Sequence, residues 1–249
     1  MFIDTHCHIH DSEFYPNDRE DVYNRAVGAD VKMICIGTSE KSSAEAVEFV
    51  KNHENTWATV GVHPHDTKDG WAKIGEILAK KHDSVVGIGE IGLDYFYDNS
   101  PRDTQIAALE QQLQWASDYD LPVSFHVRES FDDFWPIFAN FAGVKGVLHS
   151  FTDSTKNLEK ALSEGLFIGV NGISTFSKTN QAIWDQIPLD KFLLETDAPF
   201  LTPVPFRGKI NEPTYVREVA AYHARKRDIS LHEIAKATSK NAMALFEIK

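Results

Sequence analysis

A single-domain α/β chain of (β/α)8 architecture is the fold the sequence predicts, on three observations. Eight short β-rich runs recur along the chain, helical patterns fill the gaps between them, and most of the runs are nearly continuous in apolar residues. A chain of 249 residues is long enough for one large core and is the usual size of one such barrel, so residues 1–249 are read as one domain.

The runs are Phe2 to His8, Val31 to Gly37, Trp57 to Val62, Val85 to Ile91, Pro122 to Val127, Val144 to His149, Leu166 to Gly172 and Phe192 to Asp197. Their starts lie roughly 22 to 37 residues apart, the length of one strand and its return helix. Between them the clearest helix is Thr104 to Tyr119, where Ile106, Leu109, Leu113 and Ala116 recur at steps of three and four. Two more helical stretches, near Thr214 to Arg227 and Leu231 to Phe246, follow the eighth run, and the proline-rich Pro199 to Pro213 reads as a long ordered loop. Alternating order favours a closed TIM barrel; a doubly wound open sheet is the second architecture.

Composition narrows the class. No apolar run is long enough to span a bilayer, and the N-terminus lacks a basic region followed by an apolar one, so a cytoplasmic protein is expected. Cys7 and Cys35 are the only cysteines and are expected to be reduced. With 25 Lys and Arg against 37 Asp and Glu, a net charge of −12, the surface as a whole repels a polyanion. A bound divalent cation and a local basic cluster reverse that sign within one cleft.

The strongest local signal is Asp4-Thr5-His6-Cys7-His8. Side chains two apart on a strand share a face, so His6 and His8 can grip one ion while Cys7 points away. A His-X-His alone is weak, because most histidines are singly hydrogen-bonded. Its weight comes from Glu90, His126, His149 and Asp197, each expected at the C-terminal end of a strand, where barrel active sites are built. His10, His53, His82, His223 and His232 are assigned to surface or helix positions. Gly87-Ile88-Gly89 lacks the third glycine of a dinucleotide loop, and neither a serine elbow nor a Cys-His pair competes for the chemistry.

These residues resemble the TatD-type metal-dependent deoxyribonucleases, within the amidohydrolase-like metal barrels. The resemblance runs through Asp4-Thr5-His6-Cys7-His8, Gly61-Val62-His63-Pro64-His65, Gly89-Glu90-Ile91-Gly92-Leu93-Asp94, Glu195-Thr196-Asp197-Ala198-Pro199, Arg207-Gly208-Lys209, Asn211-Glu212-Pro213 and Asn241-Ala242. It implies that His6, His8, Glu90, His126, His149 and Asp197 are metal ligands, with Glu90 able to bridge two divalent ions. The chain departs from the family after His149, where Ser150 and Asp153 replace the usual Cys and Gly.

The expected activity is phosphodiester hydrolysis on DNA, single-stranded or at an end and acting from a 3′ end, through a metal-activated water whose proton Asp197 shares, with Glu90 as its catalytic partner. Arg207 can hold a phosphate in a bidentate fork, Lys209 adds a point charge, and His63 can hydrogen-bond a phosphate oxygen; without the resemblance, Arg207 and Lys209 would read as a solvated loop pair. Phe176, Trp184 and Phe206 are candidates to stack on a base. The rivals are a hydrolase of an amide, lactone or aminoacyl ester, and a non-catalytic metal-binding barrel. Mg²⁺, Mn²⁺ and Zn²⁺ all remain open, and a monomer is expected.

Overall fold

The computed structural model describes residues 1–97 and 99–248. Eight strands form one sheet in chain order: β1 (Phe2–Cys7), β2 (Val31–Ile36), β3 (Thr56–Val60), β4 (Val85–Asp94), β5 (Val123–Arg128), β6 (Gly146–Leu148), β7 (Phe167–Val170) and β8 (Phe192–Leu194). Helices alternate with them: α1 (Arg19–Gly28), α2 (Glu40–Asn52), α3 (Ala72–Ala79), α4 (Arg102–Tyr119), α5 (Phe131–Phe138), α6 (Thr155–Ser163), α7 (Gln181–Trp184), α8 (Val216–Lys226) and α9 (Leu231–Phe246). The pairs β1–β2, β3–β4, β4–β5, β5–β6 and β7–β8 are parallel, and Cys7 bridges Ala198 just beyond β8. The fold is the (β/α)8 TIM barrel the alternation predicts, and each of the eight predicted runs overlaps a strand.

The chain divides into two compact units. The first comprises Met1–Cys35 and the chain from Ser150 onward. In it β8 is buried along its whole length, and α9 covers its core with Ile234, Ala242, Leu245 and Phe246. Helix α9 starts at the predicted Leu231 because Ser230 and Glu233 form a reciprocal capping box. The long loop after β8 is ordered by the fully buried Asn211, whose Nδ2 donates to Thr196 O at 2.9 Å and Phe200 O at 2.5 Å.

The second unit, Ile36–His149, is built on β3 to β6. Phe125 of β5 meets Phe134 and Phe138 of α5 at ring-centroid distances of 5.2 and 5.6 Å, fixing that helix against its strand. Helix α4 buries Leu109, Leu113 and Ala116 as its periodicity predicts, although Ile106 is only half-buried and Gln105 and Gln112 lie on the buried face instead. Gln112 pairs with the Val62 backbone through both its oxygen and its nitrogen, and Gln105 does the same at Asp94. Two polar side chains one heptad apart thereby hold the chain after β3 and the end of β4.

Several boundaries differ from expectation. Glu90 does not end β4 but lies inside it, since the strand continues to Asp94. The register against β5 shifts between Ile88 and Ile91, and the strand carries glycine where β5 comes closest. A Cβ on Gly92, at φ +150°, would sit 1.8 Å from His126 O. His8 and His149 each lie one residue past a strand, and Asp197 lies three past β8. His10 is not a surface residue: it is buried at 1% exposure, its ring 6.3 Å from that of His8. Cys7 and Cys35 are buried free thiols. Among the described residues, no helix is long and apolar enough to cross a membrane.

Candidate metal centre

In the first unit, His6 and His8 are carried by the end of β1, and Asp197 is brought to them by backbone hydrogen bonds. Asp197 N donates to His6 O at 2.8 Å, and His8 N donates to Ala198 O at 2.8 Å. Asp197 sits in the left-handed region at φ 58°, a conformation that aspartate tolerates better than most residues. Its Oδ1 lies 3.4 Å from His8 Nε2 and 3.6 Å from His6 Nε2.

Asp4 supports this arrangement from below. One of its oxygens accepts from Thr196 N at 2.8 Å and the other from Thr196 Oγ1 at 2.5 Å. Complete burial outweighs those hydrogen bonds and pushes the Asp4 carboxyl up to about 8. Glu195 Oε1 accepts from Ser150 N at 2.7 Å, and Asn171 Nδ2 donates to Ser150 Oγ at 2.8 Å. The departure at Ser150 thus has a hydrogen-bonding place in the loop. Asp153 accepts from Ser154 N and Asn157 Nδ2 at the start of α6.

In the second unit, Glu90 of β4 is buried and surrounded by imidazoles. Its Oε1 lies 2.9 Å from His126 Nδ1, 3.7 Å from His149 Nε2 and 3.8 Å from His63 Nε2. One ligand atom from each of His63, Glu90 and His126 lies within 4.8 Å of the others. Asp94 Oδ2 contacts His126 Nε2 at 2.9 Å and His65 Nε2 at 3.0 Å, while Asp94 Oδ1 accepts from Phe96 N and Tyr97 N. Burial favours the neutral imidazole of His126, but its bonds to Asp94 and Glu90 outweigh this and raise its pKa. Burial likewise raises the Asp94 carboxyl, and the bonds from His126, His65 and Tyr97 N overcome it and hold the group well below the usual range. His63 is driven well below the ordinary histidine value by burial, with His126 adding to the effect.

The donor set fits a divalent cation. Two ligand atoms bound to one ion at about 2.1 Å in tetrahedral geometry stand about 3.4 Å apart, longer than a hydrogen bond. The nitrogens of His6, His8, His63 and His149 stand 3.4 to 3.8 Å from a carboxylate oxygen of Asp197 or Glu90.

Each unit thus gathers its own share of the expected ligands. His65 and Asp94, which sequence reasoning gave no role of their own, join the second group; the only signal for Asp94 was its place in the Gly89–Asp94 motif. Arg207 is exposed, its guanidinium 3.9 Å from the Phe176 ring with Nη1 donating to Thr202 O at 2.9 Å, and Lys209 lies 5.4 Å from the Phe206 ring. Trp184 cannot stack on a base: it is buried, with Nε1 donating to Phe151 O, and Phe206 is stacked on Tyr215.

The TatD related DNase family model matches residues 3–247. A Bacillus subtilis relative, the uncharacterized metal-dependent hydrolase YabD, is 36% identical over the whole of both chains. The 3′-5′ ssDNA/RNA exonuclease TatD of Erwinia amylovora is 36% identical over 93% of this chain and 95% of its own length. Among solved structures, the TatD homolog YjjV of Escherichia coli superposes with a TM-score of 0.91 at 33% identity, covering 100% of this chain and 98% of that one. A (β/α)8 chain with imidazoles and carboxylates that could hold a metal, matched along almost its full length by these proteins, is a member of the TatD family of metal-dependent hydrolases.

Proposed function

We propose that the chain is a 3′-5′ exonuclease of single-stranded DNA or of a strand end, acting as one catalytic domain, a cytoplasmic monomer. The observation that carries this reading is the crowding of His63, His126 and His149 around one carboxylate oxygen of Glu90, at distances of 2.9 to 3.8 Å. The exonuclease named among its relatives supplies the substrate class.

In this reading His6, His8 and Asp197, and likewise Glu90, His126 and His149, would be ligands of divalent ions, two per chain. When bound, such ions lower the pKa of a water and neutralise charge on a phosphoryl oxygen. Asp197 takes the proton of the attacking water, its carboxylate held in place by the backbone bond to His6. His63, whose pKa burial lowers, would hydrogen-bond a phosphate oxygen. Arg207 offers the N–H groups it does not give to Thr202, and Lys209 adds positive charge.

The test is cleavage of a 5′-labelled single-stranded oligonucleotide with Mg²⁺, Mn²⁺, Zn²⁺ or EDTA. A ladder shortening stepwise from the 3′ end, absent with EDTA, is expected. If no ion supports cleavage while carboxylic esters or amides are hydrolysed, the phosphodiester reading falls and the carbonyl one replaces it. Arg207→Ala separates the two: it is expected to impair cleavage of the oligonucleotide and spare a generic ester.

A further inference from the structure

Arg128 is the last residue of β5, two positions beyond His126 and on the same strand face. It is exposed, and its guanidinium lies 3.8 Å from the centroid of Phe96 and 5.0 Å from that of Tyr97. Among the described residues the guanidinium has no hydrogen bond or ion pair, in a protein whose acidic residues outnumber its basic ones 37 to 25. All five N–H donors of a guanidinium lie in its plane, so stacking on a ring covers a face and leaves the donor edge open.

The support beneath it is built. Phe96 and Tyr97 meet edge to face at 4.7 Å, and both of their backbone N–H groups donate to Asp94 Oδ1. The other oxygen of Asp94 contacts His126, and Tyr95 N donates to Arg128 O at 3.0 Å. One buried carboxylate therefore fixes both an expected metal ligand and the aromatic turn on which Arg128 lies. Phe96 and Tyr97 are 49% and 45% exposed, far more than packing alone would leave two adjacent aromatics.

We infer that Arg128, seated on Phe96 and Tyr97, is a phosphate-binding residue for a nucleic-acid strand, a substrate contact additional to Arg207 and Lys209. The inference rests on the nuclease reading and deepens it. The rings hold the guanidinium plane so that little side-chain freedom is lost when a phosphate is gripped. A carbonyl substrate without an anionic group would leave this fork unused.

The test is binding of a short 5′-fluorescein single-stranded DNA with phosphorothioate linkages, which slow cleavage, followed by anisotropy on the metal-loaded protein between roughly 50 and 200 mM salt. Arg128→Ala is expected to weaken binding about ten-fold and to flatten the slope of log affinity against log salt by about 0.7, the value of one phosphate contact on a single strand. Arg128→Lys should restore the slope with only part of the affinity, because the charge returns without the planar fork. Lys80→Ala removes an equal charge at the C-terminal end of α3 and should leave both quantities unchanged. If Arg128→Ala disturbs the fold, Arg128→Met, which keeps contact with the rings, carries the same comparison. A folded variant with the wild-type slope overturns the phosphate role and leaves the nuclease reading intact. Wild-type protein that fails to bind the strand even at the lowest salt overturns the nuclease reading, and this contact with it.

Discussion

Asp94 Oδ2 lies 2.9 Å from His126 Nε2, while the other ring nitrogen of His126 lies 2.9 Å from Glu90 Oε1. The imidazole is thus gripped on both sides by carboxylates, one an expected ligand and the other behind the ring. Carboxylates that hold a ligating histidine in this way typically account for a 10- to 100-fold difference in metal affinity. Asp94→Asn keeps the size of the side chain and removes its charge. It is expected to weaken metal binding by about that 10- to 100-fold factor, read by titrating metal into chelator-treated protein. Wild-type affinity in the variant would reduce Asp94 to an anchor for the Phe96–Tyr97 turn.

A backbone hydrogen bond brings Asp197 to the end of β1, where its carboxylate lies 3.4 Å from His8 Nε2 and 3.6 Å from His6 Nε2. Asp197→Asn should therefore fold normally and lose activity by a factor of about 10² or more at saturating metal, as expected for loss of a proton acceptor. Turnover measured beside metal content checks this; near-normal turnover at full metal occupancy would remove Asp197 from proton transfer.

Asn211 donates two hydrogen bonds from a fully buried side-chain amide to Thr196 O and Phe200 O, and Tyr15 Oη donates to its backbone carbonyl at 2.7 Å. Asn211→Ala leaves two carbonyls without that donor inside the loop that carries Arg207. A loss of about 2–3 kcal/mol is expected, lowering Tm by roughly 4–12 °C for a chain of this size. Thermal unfolding of the two proteins measures it, and a shift below one degree would mean that water replaces the amide.

His223 of α8 is buried, its Nε2 2.8 Å from Ser174 Oγ, and burial, helped by Arg227 and Lys226, lowers its pKa to about 3. The unfolded chain binds a proton on this residue near pH 6.5, the folded one only near pH 3. Its contribution to stability is present above pH 6.5 and is lost as the pH falls through that window, with a slope of at most about 1.4 kcal/mol per pH unit. Denaturant unfolding of wild-type and His223→Gln protein at several pH values between about 6.5 and 4 should show a shallower slope in the variant. Parallel curves would mean that His223 is charged in the native state.

Much of the scaffold was legible locally. β-Rich, mostly apolar runs of six or seven residues mark strands, and the helical stretch Leu231 to Phe246 became α9, because those signals act between residues within one turn or one pleat. The kinds of ligand were legible too: imidazoles and carboxylates at expected strand ends serve no packing purpose. Local patterns did not reveal that Glu90 lies inside β4, that Gln105 and Gln112 turn inward to clamp backbone, or that His10 is buried. Each of these depends on a partner far along the chain. Gly92 is required by the approach of His126 O, and Asp4 meets Thr196 across 192 positions. The sequence by itself determined the alternating elements and the inventory of metal-binding side chains. Only the tertiary structure decided which nitrogen faces which carboxylate, and that Arg128 lies on the rings of Phe96 and Tyr97, because hydrogen bonds and ring contacts depend on distance in space while periodicity records only distance along the chain.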